Sequence, residues 1–569
     1  MSKESWNTRI GVIMAVAAGS VGLGNFLRFP GQVAQFGGGA FMIAYFVSFI
    51  IIGLPIGWAE WTIGRHGGRR GFFACPGIFS TIWKNRLAKY FGVIGTVVAI
   101  GIFSYYIYVQ AWCLGYAANF LAGKINFTDV DSASAFWANF VGAANNGAVT
   151  HWGIDSFGLY VVITFSVNII IICKGLSKGI EFFTTRAIPT LIFLAIILLI
   201  RVLTLGTPVA ENPQYNVNNG LGFMWNPTKL FLQTVDPSDN SLISTNQIIG
   251  DTELANAERL VQNNPEHYQF KKETVVDQLK KPRLWLAAGG QIFFSLCIGA
   301  GVILVYASYM KENDDVVLSN LTSMSANEFC EVGLGGLITI PAAYAFFGAA
   351  GVAGQGIFAL GFNVLPMVFK EMPMGHLFGF LFFFLLFLAS ISGTLAMLQA
   401  ALSFLRETIT PGRKRSLGLL TIIAAAAALV ICWFTKDLKA MDTVDFWVTN
   451  VLMFLMAGFE VILFGWILGI DKALAEANRG AAFPVPRIFR FIIKYVTPLF
   501  LLTVFLFWLI LDVFGAGGTG IDYHIVDLFG SSTQKPNMVA WMGIGILIGL
   551  ILLLSIIVSR VKKYNNIHD

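Results

Sequence analysis

Ser20-Val21-Gly22-Leu23-Gly24-Asn25 stands in the middle of an apolar segment that carries no charge between Arg9 and Arg28. A charge-free stretch of that length covers most of a hydrocarbon core, yet two glycines lie where a continuous helix tolerates them least. Interrupted backbone at bilayer depth persists only where the freed N–H and C=O groups line a protein cavity. Those groups are ready ligands for a cation and for a carboxylate, which makes 20–25 the first candidate binding site. The competing reading is a pair of packing glycines, since Gly is common in membrane helices.

The rest of the chain supports a membrane setting. Over 569 residues it is 56% hydrophobic and 12% charged, with a mean hydropathy of +0.70, which excludes a soluble protein. Nearly charge-free runs recur at about 10–27, 40–59, 91–122, 157–172, 187–200, 284–310, 332–369, 377–405, 417–434, 446–470, 495–511 and 538–559. At about 20 residues per crossing these predict an all-α polytopic protein of about twelve transmembrane helices, the 332–369 run being one span plus a Gly-rich re-entrant or surface segment. The net charge of +6 does not point to nucleic acid, because Lys and Arg gather at Arg69-Arg70, Lys84 to Lys89, Lys174 to Lys178, Arg413 to Arg415, Arg479 to Lys494 and Arg560 to Lys563. All fall on one side of alternating spans. The positive-inside rule makes that side the cytoplasm and predicts a multi-pass protein of the cell (inner) membrane with both termini cytoplasmic. Six scattered cysteines and six histidines show no CxxC or ligand spacing, so neither a disulfide framework nor a zinc site is expected. No cleavable signal peptide is read at the N-terminus.

Four parts are expected: helices 1–5 over 1–205, an extended outer loop over 206–283, helices 6–10 over 284–470, and helices 11–12 with a short tail over 471–569. The outer loop shows helical character near 252–261 and 270–279; a second outer loop, 123–156, holds the glycosylation-type triplet Asn126-Phe127-Thr128. The sixth apolar run, Trp285 to Tyr309, is interrupted at Ser295-Leu296-Cys297-Ile298-Gly299-Ala300-Gly301. Small residues therefore break the first and sixth spans alike. Interrupted segments in matching positions of two halves point to an inverted-repeat secondary transporter, here 1–5 and 6–10, with its site at the midplane.

Trp6-Asn7-Thr8-Arg9, Gly22-Leu23-Gly24-Asn25-Phe26-Leu27-Arg28-Phe29-Pro30 and Gly37-Gly38-Gly39-Ala40-Phe41 resemble the first span of the neurotransmitter:sodium symporter family. The likeness continues through Gly290 to Ser295, Tyr306 to Tyr309, Asn327-Glu328, Asp445-Phe446-Trp447 and Asn478-Arg479-Gly480, nearly the whole chain apart from much of 206–283. It implies sodium-coupled transport by alternating access.

By that resemblance a first sodium is held by the Ser20 carbonyl, the side chains of Asn25, Ser295 and Asn327, and the carboxylate of the substrate itself. Ion and substrate then raise each other's affinity. A second sodium uses carbonyls of Ala18, Val21 and Ala389 with the hydroxyl of Ser392. Here the chain departs from the family pattern, with Gly393 where relatives place a second hydroxyl and Thr394 beyond it. The N–H groups of Leu23 and Gly24 and the hydroxyl of Tyr106 take the substrate carboxylate, and carbonyls of Ser20, Phe294 and Ser295 its ammonium. Gly22 stands where monoamine carriers have an aspartate, which favours an amino-acid-like substrate. Ile102, Tyr106, Phe294, Cys297, Ala300, Gly393 and Met397 wall the side-chain pocket.

Charges in or beside spans need an account. The resemblance makes Arg28 and Asp445 the outer gate and Lys3 with Glu407 the inner pair; Glu60 and Glu460 read as structural and satisfied within the bundle. Glu331 lies where chloride-dependent relatives have a neutral residue, so it is expected to replace chloride and to carry a proton on the return step. The expected function is sodium-coupled import of a neutral amino acid, the partners being that solute and the lipid bilayer, with no obligatory protein partner evident. An osmolyte such as a betaine or β-amino acid, or a sensor without transport, remain alternatives. An intramembrane enzyme is disfavoured, because no His cluster, nucleophile-base pair or paired carboxylates at useful spacing are present.

Overall fold

The computed structural model describes residues 5–127, 129–238, 241–353, 357–410, 412–516 and 520–565. Lys3 and Thr128 lie outside the described residues. Twelve crossings are present among them. Span 1 is Arg9–Ser20 followed, after a 46° bend, by Gly24–Gln35, and span 2 is Gly39–Arg69. Spans 3, 4 and 5 are Ala88–Leu121, Phe157–Cys173 and Leu176–Leu203. Span 6 is split into Pro282–Leu296 and Val302–Ser308. Spans 7 to 12 are Val316–Ala349, Gly375–Thr408, Arg413–Trp433, Lys436–Ile467, Ile488–Val513 and Met538–Ser559.

Burial ranks these spans by position. The most apolar stretches of spans 3 and 8 are 89% and 83% buried, whereas those of spans 11 and 12 are 11% and 22% buried. Spans 3 and 8 therefore form the central scaffold, and spans 11 and 12 give most of their surface to lipid. Spans 7 and 10 begin earlier than their charge-free runs, at Val316 and Lys436, because each carries polar residues in its first half: Asn320, Asn327, Glu328 and Glu331 in one, Asp442 and Asp445 in the other.

Close backbone approach fixes the second half of span 6. A Cβ on Gly64 of span 2 would sit 2.3 Å from the Leu304 carbonyl oxygen, and one on Gly68 would sit 1.8 Å from that of Ser308. Only glycine lets the two helices touch there. Trp6 Nε1 donates to the Tyr306 carbonyl at 3.0 Å from the other flank.

The 206–283 loop corrects the helical expectation. It contains a three-stranded antiparallel sheet in the order β2-β1-β3, from β1 (Lys229–Val235), β2 (Leu242–Ile248) and β3 (Tyr268–Glu273). The 252–261 stretch does lie in a helix, Asp251–Asn263, but 270–279 divides between β3 and a short helix, Val275–Leu279, that starts at a Thr274–Asp277 capping box. Alternation of spans puts this sheet and the 520–530 segment on one side, called here the sheet side. The opposite side is closed by ion pairs: Arg9–Asp315 at 3.2 Å, Arg69–Glu312 at 2.5 Å, Arg69–Glu476 at 3.1 Å, and Arg479 with Glu312.

Candidate functional site

Span 1 stops at Ser20, and Val21 turns to extended backbone with ψ 100°. The break is capped from within, since Asn25 Oδ1 accepts from Gly22 N at 2.8 Å. In span 6 the chain passes through left-handed backbone at Cys297 (φ 52°), Gly299 (φ 76°) and Gly301 (φ 73°). Glycine takes that conformation at little cost, whereas a β-carbon there is strained, which makes Cys297 an exception held by its surroundings. Its Sγ lies 3.2 Å from the Gly19 carbonyl, tying one break to the other. Ser20 Oγ adds a second tie, donating to the Leu296 carbonyl at 3.2 Å.

Beside the two breaks is a continuous buried polar ring. Asn25 Nδ2 donates to Asn327 Oδ1 at 2.9 Å, and Asn327 Nδ2 donates to Ser295 Oγ at 2.6 Å and to Glu331 Oε2 at 3.1 Å. Ser295 Oγ donates to the same carboxylate, and Gln291 Nε2 donates to its other oxygen at 2.5 Å. All five side chains are at most 1% exposed. The spacing made this legible, because Gln291 with Ser295 and Asn327 with Glu331 are i,i+4 pairs and share a helix face. Gln291 was nevertheless not expected to take part. The ring brings together three of the anticipated sodium ligands with Glu331, and it offers neutral oxygens of the kind a partly dehydrated alkali cation accepts. Among the described residues no cluster of three or more His, Cys, Asp or Glu suits a transition metal.

Ala18, Val21, Ala389 and Ser392 are each buried, with Ser392 Oγ donating to Leu388 O of its own helix at 3.1 Å. Thr394 does not turn toward them. Its hydroxyl joins a closed ring with Asn168 Oδ1 at 2.5 Å and Gln110 Nε2 at 2.8 Å, and Asn168 Nδ2 closes the ring on Gln110 Oε1 at 2.9 Å. Gly393 instead opens toward the pocket, where an added Cβ would meet Tyr106 Cε1 at 3.6 Å.

A small cavity between the breaks is lined by Gly19, Ile102, Tyr106, Phe294, Cys297, Gly393, Met397 and Met453. Six of the anticipated pocket residues meet here; Gly19 and Met453 were missed, and nothing in the local sequence marks Met453. Ala300 is buried in the break but is not part of this lining. The cavity has about 20 Å³ of space for water, and Tyr106 and Phe294 divide it from an outer cavity of about 180 Å³ that also reaches Leu23, Gly24, Arg28 and Asp445. Beyond lies a vestibule of about 670 Å³ open to the sheet side. A Cβ on Gly22 would lie 3.4 Å from the Tyr106 hydroxyl, and one on Gly24 would fall within 2.7 Å of the Phe294 ring.

Arg28 and Asp445 both line the outer cavity, but no direct ion pair joins them. The guanidinium lies over the Phe294 ring, 4.3 Å from its centroid, so the two anticipated gate residues stand apart around the mouth of the pocket. At the opposite end Glu407 accepts from Phe73 N and from the Tyr564 hydroxyl, each at 2.7 Å. Its expected partner Lys3 is outside the described residues, and the Arg9–Asp315 pair was not anticipated. Glu60 accepts from Gly299 N at 3.1 Å and so braces the span 6 break. Glu460 sits beside it with neither carboxyl oxygen hydrogen-bonded among the described residues, which corrects the expectation that both acids are satisfied within the bundle.

The sequence profile of the sodium:neurotransmitter symporter family matches residues 3–133 and 266–563. The chain belongs to this family. The symporter is 25% identical over 520 residues to an uncharacterized sodium-dependent transporter of Methanocaldococcus jannaschii, which covers 89% of this chain and 90% of that one. It is 26% identical over 522 residues to the uncharacterized sodium-dependent transporter YhdH of Bacillus subtilis, covering 88% and 96%. MhsT, solved in complex with L-phenylalanine, superposes with a TM-score of 0.68 at 24% identity, covering 89% of this chain and 99% of its own, and so shares the fold. The symporter is a sodium-dependent transporter and not an enzyme. The unmatched stretch, 134–265, contains β1 and β2.

Proposed function

We propose that the symporter imports a small to medium neutral amino acid with sodium, needs no chloride, and returns with a proton on Glu331. The observation that carries this reading is the Glu331 carboxylate inside the polar ring, where it accepts from Gln291, Ser295 and Asn327. A chloride ion beside it would meet like-charge repulsion. With sodium held by Ser20, Asn25, Ser295, Asn327 and the substrate carboxylate, Glu331 balances the ion; when sodium and substrate leave, a proton neutralises the carboxylate and the carrier reorients.

Amino-acid character is supported by Gly22, which has no side chain to cover the Tyr106 hydroxyl, 3.4 Å from where its Cβ would stand, and so leaves that hydroxyl to a substrate carboxylate. MhsT, of the same fold, was solved with L-phenylalanine. The aliphatic and thioether lining by Ile102, Met397 and Met453 suits an apolar side chain. A second sodium at Ala18, Val21, Ala389 and Ser392 would have one hydroxyl fewer than the family pattern, because Thr394 is engaged elsewhere. The basic clusters opposite the sheet support cytoplasmic termini in the cell (inner) membrane.

The test is sodium-driven uptake of an amino-acid panel into liposomes with gluconate replacing chloride. Wild type is expected to work equally in both media and Glu331→Ser to respond to chloride. Chloride dependence of the wild type, or indifference of the Ser variant, would overturn the proposal.

A further inference from the structure

Between spans 11 and 12 the chain forms a short helix, Tyr523–Phe529, at the rim of the vestibule. It is tied to the first half of span 10, the part that carries the gate residue Asp445. Lys439 Nζ lies 2.6 Å from Asp527 Oδ2, and the Tyr523 hydroxyl donates to Asp442 Oδ1 at 3.0 Å. Between these ties sits His524, 8% exposed, which lines both the outer cavity and the vestibule. Its ring stacks on Phe446 at 3.8 Å and 14°, with Tyr523 on it at 3.9 Å and 31°. Its edges face acids: Nδ1 lies 2.8 Å from Asp522 Oδ1 and Nε2 lies 3.3 Å from Asp442 Oδ2. Two carboxylates at the edges and two aromatic faces complement an imidazolium far better than a neutral ring.

We propose that His524, as an imidazolium, is a positioning residue for the outer gate: it fastens the 520–530 segment to the gate-bearing end of span 10 and thereby holds the two together at the rim of the vestibule. Other charges face it from each neighbouring element: Asp445 on span 10, Arg28 on span 1 across the cavity, and Asp512 paired with Arg283 next to Asp522. Burial alone would lower the pKa of His524, but hydrogen bonding and the charges of Asp442 and Asp522 outweigh it and lift the value to about 9. Because this value lies above the ordinary 6.5, the clamp is complete below pH 6.5 and is lost as pH rises through about 9. At neutral pH the segment is held.

The test places a cysteine at Leu528, which lies on the fastened helix and is 5% exposed, in the purified full-length symporter in sodium-containing detergent solution. The readout is its rate of reaction with a charged methanethiosulfonate reagent from pH 6 to 10, with protein lacking that cysteine as background. His524→Gln in the same protein has no clamp at any pH, so dividing by its rate removes the thiol's own ionisation. The normalised rate is expected to be low at pH 7, by about tenfold, and to approach unity with a midpoint near 9. Asp442→Asn is expected to move that midpoint toward 6.5. Equal rates in the His524→Gln and parent proteins at every pH would overturn the proposal. Should the Gln variant fail to fold, an unmoved midpoint in Asp442→Asn, normalised to a model thiol, would overturn it equally.

Discussion

Asn25 and Asn327 are joined amide to amide over 2.9 Å, although 302 positions separate them in the chain. The bond links the broken segment of span 1 to span 7. It also touches the proposed ion and solute sites together, since Asn25 Oδ1 accepts from the N–H of Gly22. Asn25→Ala and Asn327→Ala should each raise the sodium concentration needed for half-maximal binding and weaken amino-acid binding in parallel, by about tenfold for a lost coupling of 1–2 kcal/mol. Titrating amino-acid binding at several sodium concentrations checks this; unchanged affinity at all of them would contradict the shared site.

Gly393 leaves room for a hydroxyl that the proposed second sodium site lacks. Its Cβ direction meets only Tyr106 Cε1 at 3.6 Å and the Gly19 carbonyl at 3.8 Å, ordinary contact distances. Gly393→Ser should therefore fold normally and lower the sodium concentration required for transport, while Gly393→Ala should not. A Ser variant that binds sodium no better than the Ala variant would remove this position from the ion site.

The sheet can be cut out along its own register. Lys229 and Glu273 face each other as partners of β1 and β3, so the chain ends left by removing 230–272 already lie side by side. Gln278, whose amide donates to the Pro227 carbonyl at 2.7 Å, stays behind to anchor the stump. Replacement of 230–272 by two glycines should preserve sodium-dependent binding. A well-folded deletion that no longer binds would make the sheet part of the site.

Gly68 and Gly290 should respond oppositely to alanine. The added methyl at Gly68 would collide with the Ser308 carbonyl, whereas nothing lies within 4 Å at Gly290. Gly68→Ala should cost about 1–3 kcal/mol or more, because the obstacle is backbone that cannot repack. Thermal unfolding in detergent compares the two; equal midpoints would refute the close packing of spans 2 and 6.

The spans and both breaks were legible because lipid makes each crossing a long apolar run and makes any interruption conspicuous. Spans 7 and 10 were read as starting too late for the same reason, since the acidic residues of the polar ring and of the anticipated gate interrupt a charge-free run. The strands of the outer loop escaped notice because none alternates buried with exposed residues, β2 and β3 having no buried position at all, so they leave no two-residue apolar period. Met453 was invisible in a uniformly apolar span, where only three-dimensional rotation decides which side chain meets the cavity. The diversion of Thr394 into the Gln110 and Asn168 ring was equally hidden, because three polar residues on three spans do not announce their partners.

The arginine and glutamate pairs that close the face opposite the sheet carry a kinetic consequence. Arg69, Glu312 and Arg479 are all partly open to water. Separated pairs of this kind are rehydrated as they part and cost roughly 0–1 kcal/mol each. An apolar plug would instead have to wet its whole surface at about 25 cal/mol per Å². The part of that closure made by Arg69 and Arg479 on Glu312 thus consists of contacts that water readily replaces and dissolved salt loosens, whereas Asp315, 1% exposed, keeps its pair with Arg9 largely unscreened.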